Sequence, residues 1–214
     1  METVVNLVTE SGFPGHFLPQ FKPIAMTIDS TWLKTYFDDI YRAISASSVK
    51  ERLIEIRSLW SDAAAAGNKI IFAGNGGSAA IASHCSVDLT KAAGLRSINF
   101  NEADLITCFA NDYGYVEWLA KAIEAYADDG DALVLISSSG LSPNILRAAE
   151  VGRNMGLSVI TLSGFDAENP LRKAGEINLW VDSQSYNVVE MTHHIWLLAA
   201  IDMEIASRAH TTGS

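Results

Sequence analysis

Residues 69–89 read KIIFAGNGGSAAIASHCSVDL, and the reading of this stretch decides the fold. The run from Ile70 to Ala73 is apolar throughout rather than alternating, the pattern of a strand covered on both faces of a parallel sheet. Gly74, Gly76 and Gly77 then interrupt it, and glycines there permit positive φ and close approach of backbone to a ligand. A helix is expected from about Ser78, so the stretch is strand, tight turn and helix, one unit of a doubly wound fold.

Outward from it the rhythm repeats. RSINF (96–100), ALVLIS (132–137), SVITLS (158–163) and INLWV (177–181) are further short apolar runs. Helical segments are expected around Tyr115–Tyr126, from about Ser142, in a short piece after Pro170, and from about Tyr186 to Ser207. The alternation predicts an α/β domain of three layers: a doubly wound, about five-stranded parallel sheet with helices on both faces. Two N-terminal helices precede it. In the first, Trp32, Leu33, Tyr36, Phe37, Ile40, Tyr41 and Ile44 recur at three- and four-residue steps behind Ser30 as N-cap. The second runs from Val49 to Ala66, with Gly67 at its αL stop. Residues 1–29, with Gly12, Pro14, Gly15, Pro19 and Pro23, read as an irregular arm, and 30–214 as a single domain.

Composition narrows the function. The chain has 214 residues, 49% hydrophobic, and 25 acidic against 15 basic side chains for a net charge of −10. With no run of Lys or Arg, nucleic-acid binding is not expected. No apolar stretch approaches the ~20 residues that span a bilayer, so no membrane partner is expected either. Cys85 and Cys108 are too few for a disulfide framework, and the start lacks a secretory pattern, so a reducing cytoplasm is the expected compartment.

In open α/β sheets ligands gather at the carboxyl ends of the strands. Two turns there carry chemistry. Gly74-Asn75-Gly76-Gly77-Ser78 can offer backbone N–H groups and a positive helix end to an anion. Ser137-Ser138-Ser139-Gly140-Leu141-Ser142 gathers four hydroxyls around one glycine before Pro143. Neither turn matches a nucleotide-binding spacing, so a small phosphorylated ligand fits better.

GNGGSAAIASHCSVDL, FANDYG and ISSSGLSPN, in this order and spacing, resemble the sugar isomerase (SIS) domain, and within it the sedoheptulose 7-phosphate (phosphoheptose) isomerases of bacterial heptose synthesis. The resemblance runs from about Ser30 to Ile205. It implies a phosphosugar pocket formed by Asn75, Gly76, Gly77, Ser78, Ser137, Ser138, Ser139 and Ser142, with Asn111 and Asp112 beside the sugar. It also implies a homotetramer, and a ketose–aldose isomerisation through an enediol, with a carboxylate and a histidine moving protons. His84 and Asp88 match the family's metal-site His and carboxylate, and many members hold zinc there. Asp88 is one methylene shorter than the usual Glu. On the last helix Val189 and Leu197 stand where the family has Gln and His, while Glu190, His193 and His194 are retained or added.

The expectation is therefore that Glu190, with His193 or His194, acts with Asp88 and His84 in acid–base or metal duty. The alternatives are an isomerase of another sugar phosphate, or a non-catalytic SIS sensor or tetrameric adaptor. Glu102 and Asp104, in a loop after RSINF, stand as specificity candidates. Lys91 or Arg172 could balance the phosphate charge. Cys85 reads as a buried thiol, and Trp118, Trp180 and Trp196 as core or interface residues.

Overall fold

A computed structural model describes residues 29–212, with side chains described through Ala209. Of the expected arm, residues 1–29, all but Asp29 lie outside the described residues. The chain runs α1 (Ser30–Ile44), α2 (Val49–Ala65), β1 (Ile70–Gly74), α3 (Gly77–Lys91), β2 (Ser97–Asn99), α4 (Ala103–Tyr113), α5 (Trp118–Tyr126), β3 (Ala132–Ile136), α6 (Pro143–Asn154), β4 (Ser158–Gly164), a 3-10 turn at Pro170–Lys173, β5 (Ile177–Val181) and α7 (Tyr186–Thr212).

The five strands form one sheet in the order β2-β1-β3-β4-β5, every pair parallel. Their side chains alternate between two cores. Ile70, Phe72, Val134, Ile136, Ile160 and Leu162 face one layer, with α2, α3 and α7. Ile71, Ala73, Leu133, Leu135 and Val159 face the other, with α5 and α6. Burial on both faces is why these strands carry no polar alternation. The two edge strands are the exceptions: β2 is half-buried throughout, and in β5 Asn178 and Trp180 are half-buried between buried Ile177, Leu179 and Val181.

The order reverses between β1 and β3: from β1 the chain crosses outward to β2, then returns to β3 on the other side. The crevice between the carboxyl ends of those two strands is where this topology leaves room for a ligand. Both sequence-selected turns lie there, one after β1 and one after β3.

Three expectations need adjustment. The N-cap of α1 is Asp29, not Ser30: its Oδ1 accepts from Thr31 N at 2.8 Å and Trp32 N at 3.3 Å. Gly67 does take the αL position after α2, at φ +85°. The loop expected after RSINF is the helix α4. Leu105, Ile106, Phe109 and Ala110 have helical spacing and pack in part against the second core. Glu102 and Asp104 open this helix, where acidic groups favour its positive end. The short segment after Pro170 is a single 3-10 turn.

Candidate active site

The glycine turn is shaped by two close approaches. Gly76 has φ +55°, a backbone position that favours glycine. A Cβ on Gly77 would lie 2.3 Å from Glu190 Oε2, so the α7 carboxylate sits directly on the first turn of α3. Glu190 and the two turns enclose a small cavity of about 150 Å³, walled by Asn75, Ser78, Ser137, Ser138, Ser139, Ser142 and Tyr186. Ser137 and Ser142 join hydroxyls at 3.1 Å, and Ser139 Oγ accepts from Leu141 N at 3.2 Å. Ser138 Oγ is buried beside Glu190 without a protein hydrogen bond of good geometry.

No Lys or Arg among the described residues lines this cavity. Lys91 is exposed. Arg172 donates to Ala167 O at 2.7 Å and stacks on Trp180, its guanidinium 4.5 Å from the ring centre. The pocket thus offers neutral donors plus one carboxyl. Burial pushes the Glu190 carboxyl above its ordinary value, with the Ser138 hydroxyl pulling partly back.

Further along α3 a second cluster forms. His84 Nδ1 meets His194 Nε2 at 2.8 Å, and His84 Nε2 meets Asp88 Oδ2 at 3.2 Å. His84 therefore stands between the other two, one ring nitrogen on each. Burial holds the His194 imidazole below its ordinary value; His84 adds to this and Asp88 opposes it.

The two adjacent histidines have separate fates. His193, one of the two expected for acid–base duty, is fully buried with Nε2 3.0 Å from Ser163 O, so it belongs to the core. Burial pushes it down to about 4. His194 is the one that turns toward α3. Glu190 bonds to neither, and its contacts are with the serine turn and Gly77, which corrects the expected Glu–His pairing. Asn111 and Asp112 are exposed on α4, hydrogen-bonded to each other at 2.9 Å and outside the cavity of this chain.

The zinc site implied by the resemblance does not assemble from these residues. Asp88 and His194 occupy opposite nitrogens of His84, so the three flank rather than converge on one point. Val189 and Leu197, at the other two family positions, are fully buried in the apolar core. Among the described residues no group of three or more His, Cys, Asp or Glu side chains is arranged to hold a metal ion. Cys85, adjacent to His84 in sequence, faces the core, and burial pushes its thiol up to about 12.

Sequence reasoning missed two groups. Asn144, at the second position of α6, is 1% exposed and pairs its amide with that of Asn75. Tyr115, after α4, donates to the same Asn75 oxygen at 3.2 Å. The Pro143-Asn144 start of α6 was visible as a helix opening, but only the fold brings it across to β1.

A family model described as "SIS domain" matches residues 35–164. The phosphoheptose isomerase of Aliarcobacter butzleri is 36% identical over 149 residues, covering 65% of this chain and 78% of that one. That of Akkermansia muciniphila is 31% identical over 161 residues, covering 72% and 84%. The solved phosphoheptose isomerase GmhA from Neisseria gonorrhoeae superposes with a TM-score of 0.74 at 26% identity, over 82% of this chain and 98% of that chain.

Proposed function

The chain belongs to the SIS domain family, and from that premise we propose that it is a phosphoheptose isomerase converting sedoheptulose 7-phosphate to D-glycero-D-manno-heptose 7-phosphate. The observation that carries this is a spacing. The phosphate-sized cavity lies at Gly77 and Ser78, and the Asp88–His84–His194 cluster begins seven residues along the same helix. At 1.5 Å rise per residue that is about 10 Å, the reach of an extended sugar chain ending in phosphate. One end of the seam between α3 and α7 would hold the phosphate, and the other would meet C1 and C2.

At the anchoring end Ser78, Ser137, Ser138, Ser139 and Ser142 donate hydroxyls, the start of α3 adds its N–H groups, and Asn75 contributes its amide. Glu190 borders this end, its carboxyl held above the ordinary value by burial. At the reacting end Asp88 takes the C1 proton to form the cis-enediol and returns it to C2. His194, coupled to His84, moves the hydroxyl proton between O2 and O1. Asn111 and Asp112 would approach the sugar from a neighbouring copy in a tetramer. Trp32, Leu33, Phe37 and Tyr41 leave α1 with the exposed apolar face such an assembly would cover. A cytoplasmic role in lipopolysaccharide heptose synthesis, with the sugar phosphate as the only small partner, completes the reading. No helix among the described residues is long and apolar enough to cross a membrane.

The residues do not fit the family's zinc, so no step is routed through a metal. The test is NMR of the protein with sedoheptulose 7-phosphate in heavy water, with and without a chelator. Aldoheptose phosphate carrying deuterium at C2, formed equally in both samples, is expected. One observation favours a second reading, a phosphosugar sensor: apolar Val189 and Leu197 at two family ligand positions. Binding without product or exchange would select it.

A further inference from the structure

The Asn75 amide is held by three hydrogen bonds that fix where it stands at the cavity wall. Asn75 Nδ2 donates to Asn144 Oδ1 at 2.9 Å, and Asn144 Nδ2 donates back to Asn75 Oδ1 at 3.0 Å. Tyr115 Oη donates to that same oxygen at 3.2 Å. An amide oxygen has two acceptor sites and an amide nitrogen two donors. The oxygen of Asn75 is therefore fully used, while one N–H remains and Asn75 lines the cavity.

We propose that Asn144 and Tyr115 are positioning residues that hold the Asn75 amide in place at the cavity wall, where its remaining N–H meets the ligand. This rests on the phosphosugar reading of the site. The amide pair and the phenol fix where the Asn75 amide stands rather than which way round it lies, since a phenol both donates and accepts, and an anion in the cavity selects the N–H. The hold matters because no Lys or Arg among the described residues lines the cavity, so an anion there is held by neutral donors. The three residues come from three places. Asn75 follows β1, Asn144 opens α6 behind β3, and Tyr115 follows α4, which carries Asn111 and Asp112. One amide thus ties both ligand turns to the segment after α4.

The test measures inorganic phosphate affinity by calorimetry and turnover of sedoheptulose 7-phosphate by the full chain. Tyr115→Phe removes one oxygen and no charge, and Asn144→Leu keeps the volume without the amide. Phosphate affinity and KM are expected to weaken about threefold for Tyr115→Phe and about tenfold for Asn144→Leu, with kcat changed less. In an Asn75→Ala background neither substitution should weaken phosphate binding further, because the residue they orient is gone. A structural role would persist in that background. Equal phosphate affinity in wild type and Tyr115→Phe, or losses that remain additive on Asn75→Ala, would overturn the proposal. Wild-type protein that binds no phosphate at all would instead overturn the reading of the site on which it rests. Asn144→Leu could fail to fold, and Tyr115→Phe, at an exposed position, keeps the test open.

Discussion

At the start of α3 the site is made mostly of backbone, short hydroxyls and one amide, with the Glu190 carboxyl at its border; two turns further along the same helix it is made of ionisable side chains lent by two helices. The first end is fixed by the chain path. Gly76 at positive φ, Gly77 under a carboxylate and the serine turn behind β3 hold their donors wherever the sheet forms. The second end depends on the rotation of α7 against α3, and on which residue of the pair His193-His194 falls toward the seam. Anchoring is thus written locally, whereas chemistry is written across 110 residues, the separation of His84 and His194. The anchoring turns can stay constant while the reacting end changes, which is how one fold accommodates several activities.

The sharpest way to break this division is to disable the reacting end alone. Asp88→Asn keeps the shape and removes the base, and kcat should fall by roughly 10²–10⁴-fold, the usual contribution of a positioned acid–base group. Inorganic phosphate should bind as in wild type, since Asp88 lies outside the cavity lining. Loss of phosphate affinity by the same variant in calorimetry would mean that the two ends are one site. His194→Asn should act in the same direction, lowering turnover and sparing phosphate binding.

The neighbouring histidine sharpens the same contrast. His193 is buried and held down to about 4, so the folded protein leaves it neutral where the unfolded chain, at an ordinary value of 6.5, takes a proton. Its contribution is fully present above pH 6.5 and is lost as pH falls toward 4. Between pH 7 and pH 5 the loss should be about 2 kcal/mol by proton linkage. His193→Gln, which can still donate to the Ser163 carbonyl, should flatten the pH dependence of urea midpoints by that amount. A variant with the wild-type slope would show that another group carries the acid sensitivity.

This division also explains what could be read without the fold. The sheet was legible because strands buried on both faces are continuously apolar, and the two turns because glycine and serine clusters follow such strands. The helix α4 was not, although Leu105, Ile106, Phe109 and Ala110 have helical spacing, because its opening Asn101-Glu102 resembles a loop. His84 and Asp88 were legible as an i, i+4 pair on one helix. The choice between His193 and His194 was not, because both lie within reach of Glu190 along α7 and only packing against β4 decides. Asn144 and Tyr115 were invisible for the same reason: each acts by meeting Asn75 across the sheet edge.

The smallest expected effect tests the contact between the two helices at the anchoring end. Gly77→Ala sets two terms against each other. Alanine gains up to about 1 kcal/mol over glycine in a helix. Its Cβ would also stand 2.3 Å from Glu190 Oε2 and 2.7 Å from Cδ, distances that require something to move. The obstacle is the far end of a flexible side chain, so Glu190 should swing away and stability by thermal melting should stay within about 1 kcal/mol of wild type. The cost falls on the ligand instead. The displaced carboxylate has the serine turn beside it, and phosphate affinity should fall by about threefold, the scale of one weakened hydrogen bond. Adding Glu190→Ala to Gly77→Ala makes room for the new methyl and removes the charge. If the double variant recovers phosphate affinity, the carboxylate and the anion share this end of α3. If Gly77→Ala binds phosphate as tightly as wild type, Glu190 does not border the anion, and the glycine is needed only for packing against α7.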